Sequence, residues 1–218
     1  MLKRLTLKRN TALAIMLVLM LSIIFNIYMV IRVRKFKYKI GLETYSTIEE
    51  MRFIHDNNVQ ILSTAIDAGS IDNVAILKLY KNYKDLSEGT SDLWNQYIYY
   101  EQERKFTVSK KSIDTTEVTV NDVNSKLEDF LNDVLEFEMH TQSEKIELTK
   151  DMLEKFKVIY ELESEKSSYY YKFCEEKLNG SVQDKKKDII VKEHYWMDIL
   201  QGYNDINKKY VDCEFKLN

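Results

Sequence analysis

The sequence predicts an all-α protein: a single N-terminal transmembrane helix followed by an elongated antiparallel bundle of four or five long helices. Three observations predict it. Thr11 to Ile31 is an uncharged run of 21 residues. The 218-residue chain has no proline and only five glycines, so the usual punctuation of β-rich and loop-rich folds is missing. Beyond residue 40, apolar side chains recur at steps of three and four almost to the end, which is the spacing of one helix face.

The first ten residues form a basic tail carrying Lys3, Arg4, Lys8 and Arg9. The uncharged run 11–31 then spans about 30 Å at about 1.5 Å per residue, the thickness of the hydrocarbon core, and a helix satisfies its own backbone polar groups there. It is longer than the apolar region of a cleaved signal peptide and leaves through Asn26-Ile27-Tyr28-Met29-Val30-Ile31 without an Ala-x-Ala pattern, so it is expected to stay attached as an anchor. Residues 32–39 are a basic juxtamembrane segment in which Arg32, Arg34, Lys35, Lys37 and Lys39 are candidates for contact with lipid headgroups. With four basic residues before the span and five after it, the positive-inside rule does not decide orientation. The short basic tail resembles the start of an export signal, which places the bulk of the chain outside the cytoplasm.

Residues 40–218 form one acidic domain, with 23 basic against 35 acidic side chains, a net −12. Nucleic-acid binding needs a basic footprint to displace counterions from phosphate, so that class is excluded. The 44% hydrophobic content is enough to bury a core beneath a charged surface.

Within this domain Ile48, Met51, His55, Val59, Leu62 and Ile66 make a first stripe, on a helix that continues the membrane span. Gly69 supplies a left-handed stop, and Ser70 or Asp72 caps the next start. A second stripe runs through Ile76, Tyr80, Tyr83, Leu86, Leu93, Tyr97 and Tyr100, and Ser87 to Ser91 is either a break or a kink at Gly89. Residues 107–119 lose the apolar period and read as the main loop, with a short strand possible over 117–120. Val123, Leu127, Phe130, Val134, Phe137 and Thr141 form the next stripe, and Leu148, Met152, Phe156, Ile159 and Leu162 another. Thr141 to Glu144 has capping-box spacing, so the helix from about 120 to 178 is either interrupted there or continuous. Gly180 supplies a stop, Ser181 to Asp184 a further box, and a final helix carrying Ile189, Trp196, Leu200, Tyr203, Ile206, Tyr210, Cys213 and Leu217 runs almost to residue 218. Asp151/Lys155, Asp188/Lys192 and Glu101/Lys105 are i,i+4 pairs of solvated surface.

No catalytic signature is present: no phosphate-binding glycine loop with its lysine, no Gly-x-Ser-x-Gly, no His-Glu-x-x-His and no Cys-x-x-Cys. His55, His140 and His194 lack ligand partners at metal-binding spacing, and no cofactor is expected; His55, on the apolar stripe, reads as a packed, hydrogen-bonded core residue. A hairpin about Gly180 puts Cys174 and Cys213 about 40 Å apart at about 1.5 Å per residue, beyond the reach of a disulfide. The candidates for partner contact are the tyrosine clusters Tyr97, Tyr99, Tyr100 and Tyr169, Tyr170, Tyr171. Successive helical residues lie about 100° apart, so at least one of each cluster faces out. Such rings either cover helix flanks or offer amphipathic area to a partner protein or a sugar.

The layout resembles the helical ligand-sensing domains of bacterial receptors, which begin with a membrane helix followed by a four-helix bundle and return through a second span. That second span is missing here. The expectation is therefore a non-enzymatic, single-pass binding or scaffold module at the bacterial cell envelope, contacting membrane lipid and either a protein partner or its own copies. The alternative is an extracytoplasmic sensing or regulatory domain that works with a separate signalling partner and holds a small ligand near His55 or the tyrosine layers.

Overall fold

The computed structural model describes residues 2–104, 112, 113, 115, 120–141, 144–178 and 183–216. Among them are six helices and two short strands in the order α1 (Leu2–Ala68), β1 (Ser70–Asp72), α2 (Asn73–Arg104), α3 (Val120–Thr141), β2 (Lys145–Glu147), α4 (Lys150–Leu178), α5 (Gln183–Lys192) and α6 (Tyr195–Asn207). The chain divides into two compact units, Met1–Ile40 and Gly41–Asn218.

In the first unit every side chain from 11 to 31 is exposed. α1 is the one helix among the described residues that is long and apolar enough to cross a membrane. As the stripe at 48–66 predicts, it does not stop at the end of the uncharged run but continues to Ala68.

The second unit closes its own core. Ile48, Met51, His55 and Leu62 of α1 are buried, while Val59 and Ile66 sit at its margin. Gly69 ends α1 with φ 63°, the left-handed conformation that favours glycine. Asp72 caps α2, its Oδ1 accepting the Ala75 N–H at 2.8 Å. α2 then runs unbroken through Ser87 to Ser91, so neither a break nor a new start occurs there. Gly89 lies against Thr47 and Met51 of α1, which explains a small residue without a helix stop.

Four points settle or correct the expectations. First, the described residues are all-helical in class, as the sequence predicts, with one small addition: β1 and β2 pair antiparallel, with Ile71 opposite Ile146 and both buried. Each strand has three residues, too short to leave a period-two pattern, and forms because the α1–α2 and α3–α4 turns meet. The Leu148 N–H, bonded to the Gly69 carbonyl at 2.9 Å, extends that junction. Second, of the two readings left open for 120–178 the interrupted one holds, and Thr149 caps α4 through the Met152 N–H at 3.3 Å. Third, the final helix is two helices. His194 between them adopts φ 56°, a left-handed turn that changes the phase by too little for periodicity to register. Its ring meets Tyr100 edge-on at 5.1 Å. α6 ends at Asn207, and the chain beyond it is held down by Phe215 against Phe130 at 6.3 Å and by Lys126 on the Val211 carbonyl at 2.5 Å. Fourth, Phe137 is exposed rather than buried. The domain contains the end of α1 followed by α2 to α6, of which α5 and α6 have only 10 and 13 residues.

Neighbouring helices are antiparallel where bonds fix the direction. Along α1 and α2, Asn58 meets Asn82 and Met51 meets Gly89; along α1 and α4, Asn58 meets Glu163 and Arg52 meets Tyr171. α4 and α6 are likewise antiparallel, with Phe173 on Tyr195, Tyr169 on the Asp198 carbonyl and Glu165 on Lys209 and Tyr210. The surface pairs Asp151/Lys155 and Asp188/Lys192 close at 2.5 and 3.0 Å. Most of the expected loop 107–119, residues 117–119 of the possible strand, Lys105, the Gly180 stop and Ser181 and Val182 of the following box lie outside the described residues, while Val120 begins α3 rather than ending a strand.

Candidate functional site

The feature that composition does not explain is a charged cluster inside the bundle. Continuing the α4 stripe past Leu162 by one turn reaches Lys166, then Tyr170 and Phe173, and all of these are buried together with Glu163. α1 brings His55 and Asn58 opposite them, both 1% exposed or less. His55 Nδ1 lies 2.8 Å from Glu163 Oε2, and Asn58 Nδ2 donates to the same oxygen at 3.1 Å. Glu163 Oε1 faces Lys166 Nζ at 3.9 Å. Asn82 of α2 donates through Nδ2 to Asn58 Oδ1 at 2.6 Å and to Asn57 Oδ1 at 3.3 Å.

The carboxylate can only accept, so neutral His55 carries its proton on Nδ1 and donates it. Nε2 is left as an acceptor without a hydrogen-bond partner among the described residues, as is the Tyr203 hydroxyl, while the Tyr83 hydroxyl approaches Glu163 and Asn58. Tyr203 of α6 meets the His55 ring edge-on at 5.3 Å. Native interiors rarely leave two such atoms together, because each costs about 1–3 kcal/mol.

Burial pushes the His55 imidazole below its ordinary range, against the attraction of Glu163. Burial also pushes Lys166 down, again opposed by Glu163. For Glu163, burial acts upward, but His55, Lys166 and Asn58 together outweigh it and hold the carboxyl below its usual range. The mutual attraction of His55 and Glu163 requires a charged imidazole, which burial disfavours. The arrangement that reconciles these directions is an ionised Glu163 countered by Lys166, with His55 as a neutral donor. Tyr83 is driven well up, first by burial and then by the Glu163 charge.

A second network joins α1 to α4 and α5 nearer the surface. Arg52 pairs with Asp56 at 2.8 Å and Glu49 at 3.1 Å, and Asp56 also accepts from the Ser167 and Tyr171 hydroxyls, each at 2.6 Å. Tyr170 donates to Glu49, and Lys186 Nζ sits 4.7 Å over the Tyr170 ring.

The candidate partner-contact tyrosines divide. Tyr97 brackets Ile113, accepting its N–H at 2.9 Å and donating to its carbonyl at 3.3 Å, and Tyr97 and Tyr100 both meet Trp196 edge-on. Tyr169 donates to the Asp198 carbonyl at 2.9 Å, and its hydroxyl is pushed up to about 12 by burial and then by Asp198 and Asp205. Tyr170 is buried, while Tyr171 keeps a ring 52% exposed although its hydroxyl is bonded. Tyr99 is 58% exposed. Each cluster thus presents one outward ring, as helical geometry requires. Of the basic juxtamembrane residues, Arg32, Arg34, Lys35 and Lys39 are exposed and Lys37 is buried.

Tyr169 also packs on Gly202, where an added Cβ would fall 2.1 Å from the ring. Gly202→Ala is expected to destabilise the domain by about 1–3 kcal/mol, because the ring is pinned by its bond to Asp198 and cannot simply swing away. Denaturant unfolding of the full chain in detergent checks this, and Tyr169→Ala in the same background should relieve most of the added cost.

Sequence reasoning found His55 as a bonded core residue but missed Glu163, Lys166, Asn58 and Asn82. The usable signal was the stripe continued to Lys166; nothing in the pattern marks Glu163 or the asparagines. Cys174 and Cys213 are both free and half-buried. Among the described residues no group of three or more His, Cys, Asp or Glu is arranged to hold a metal ion. Comparison with models of known families, with curated proteins and with solved structures finds no match.

Proposed function

We propose that this chain is a single-pass membrane protein whose acidic helical domain is a non-enzymatic binding or scaffold module at the bacterial cell envelope, with the bulk of the chain outside the cytoplasm. The observation that carries the reading is α1: its first part exposes an unbroken apolar surface from 11 to 31, and the same helix continues to Ala68 within a domain that buries its own stripes. An apolar helix exposed on every side is costly in water and at home in lipid. The outward rings of Tyr99 and Tyr171 supply amphipathic area for a protein partner, and Arg32, Arg34, Lys35 and Lys39 supply charge for anionic headgroups.

The buried Glu163 cluster favours a second reading, a sensing or regulatory domain. The Asn57–Asn82–Asn58 chain connects Glu163 to an open groove lined by Asn57, Gln60, Thr64, Ser70, Asp72 and Lys78, so a small polar ligand seated there would have a hydrogen-bonded path to the core.

The native thiols test the placement. A membrane-impermeant maleimide applied to intact cells is expected to label Cys174 or Cys213 before lysis, and the protein is expected to stay with the membrane after an alkaline wash. Labelling that appears only after lysis and unfolding would reverse the orientation. Recovery in the aqueous fraction would remove the anchor.

A further inference from the structure

We propose that the membrane-spanning part of α1 pairs with a second copy of this chain along a seam centred on Asn26. The inference rests on the reading of 11–31 as a membrane span and deepens it by naming a partner. Ala12, Ile15, Leu19, Ser22, Asn26 and Met29 follow one another at alternating steps of three and four. That 3.5-residue repeat keeps one face of a helix turned toward a partner in a left-handed crossing.

The polar side chains of the uncharged run are Thr11, Ser22, Asn26 and the Tyr28 hydroxyl. Thr11 stands at one end, and Tyr28 is suited to the interface. Ser22 can return its hydroxyl to the carbonyl one turn back. Asn26 has two donors and an acceptor to satisfy, and it lies six residues inside Arg32, about 9 Å at about 1.5 Å per residue, too deep for so short a side chain to reach headgroups. It is exposed on α1 and makes no side-chain hydrogen bond among the described residues. An amide left unpaired in hydrocarbon is expensive, so the lipid itself favours a helix that bonds to it.

The second copy follows from the chemistry of the amide. Donor and acceptor on one group make Asn26 complementary to itself. Copies inserted in the same direction and related by a two-fold axis along the membrane normal place Asn26 level with Asn26 at one depth. Ser22 and Ala12, small residues on the same face, allow the backbones to approach.

The test uses the full chain in native membranes, with Cys174→Ser and Cys213→Ser as background. Oxidation is expected to crosslink Leu19→Cys and Ser22→Cys, but not Leu21→Cys or Ile24→Cys on the opposite face. Measured by energy transfer on dilution into phospholipid vesicles, Asn26→Leu is expected to lower the association constant about five- to thirtyfold, and Asn26→Gln to restore most of it. Equal crosslinking on both faces, adducts with other proteins alone, or an association constant unchanged by Asn26→Leu would overturn the seam and leave the anchor standing. Release of the chain into the aqueous phase after an alkaline wash would overturn both.

Discussion

Glu163→Ala is expected to destabilise the helical domain by about 3–5 kcal/mol, enough to leave a marginal domain largely unfolded. Glu163 is fully buried and satisfies His55 and Asn58 while facing Lys166. Removing it strands a lysine that is itself 1% exposed, together with an imidazole N–H and an amide N–H, and no water can replace the lost acceptor cheaply. Most of the effect comes from the orphaned charge rather than from a strong bond, and this gives the experiment its control. Glu163→Leu combined with Lys166→Met keeps the volume and removes both charges, so it should recover most of the loss and can exceed the parent in stability. Denaturant unfolding of full-length protein in detergent, read by helical circular dichroism, compares the three. A double variant no better than Glu163→Ala would show that the ion pair is not the source of the cost.

Acidification is the second large effect. His55, Glu163 and Lys166 all have folded values below their ordinary ones, so the folded domain binds fewer protons than the unfolded chain and its stability rises with pH at each group. For His55 the contribution is present above its ordinary value of 6.5 and is lost as the pH falls below it toward the depressed folded value. For Glu163 the loss begins below its ordinary 4.5. The Lys166 window lies between its depressed value and 10.5, where raising the pH adds stability.

Asn58 and Asp56 on α1, Tyr83 and Asn82 on α2, and Tyr203 on α6 surround the three groups. None of them offers a second carboxylate in hydrogen-bond contact with His55, so a protonated imidazole is poorly compensated. One proton per molecule corresponds to about 1.4 kcal/mol per pH unit. The unfolding free energy is therefore expected to fall by up to about that slope from pH 6.5 downward until His55 protonates in the folded state. His55→Gln retains a donor for Glu163 without titrating, and should flatten the profile between pH 6.5 and 5. A profile identical to the parent's would assign the acid sensitivity elsewhere.

Much of the helical architecture was legible along the chain. The stripes placed α1, α2, α3 and α4, Gly69 and Asp72 marked the α1–α2 boundary, and the geometry of consecutive tyrosines required one outward ring per cluster. The ribbon of β1 and β2 was not legible, because three residues are too few for alternation to show and their pairing joins positions more than seventy residues apart. The His194 turn escaped because one left-handed residue leaves the apolar spacing of 189–206 nearly intact. The charged core escaped for a different reason: Glu and Lys on a helix usually mean solvent, and only the opposing helix reveals that these two have none.

The sequence by itself determined that an apolar helix at the start carries an acidic helical domain, since hydropathy and periodicity are local properties that a single segment expresses. Only the tertiary structure decided that Glu163, Lys166, His55 and Asn58 share one dry space, that the two turns meet as a ribbon, and that Tyr169 locks onto Gly202. Those arrangements depend on the register between segments as far apart as the 108 residues from His55 to Glu163 and more, and register is set by packing that no single stretch of chain contains.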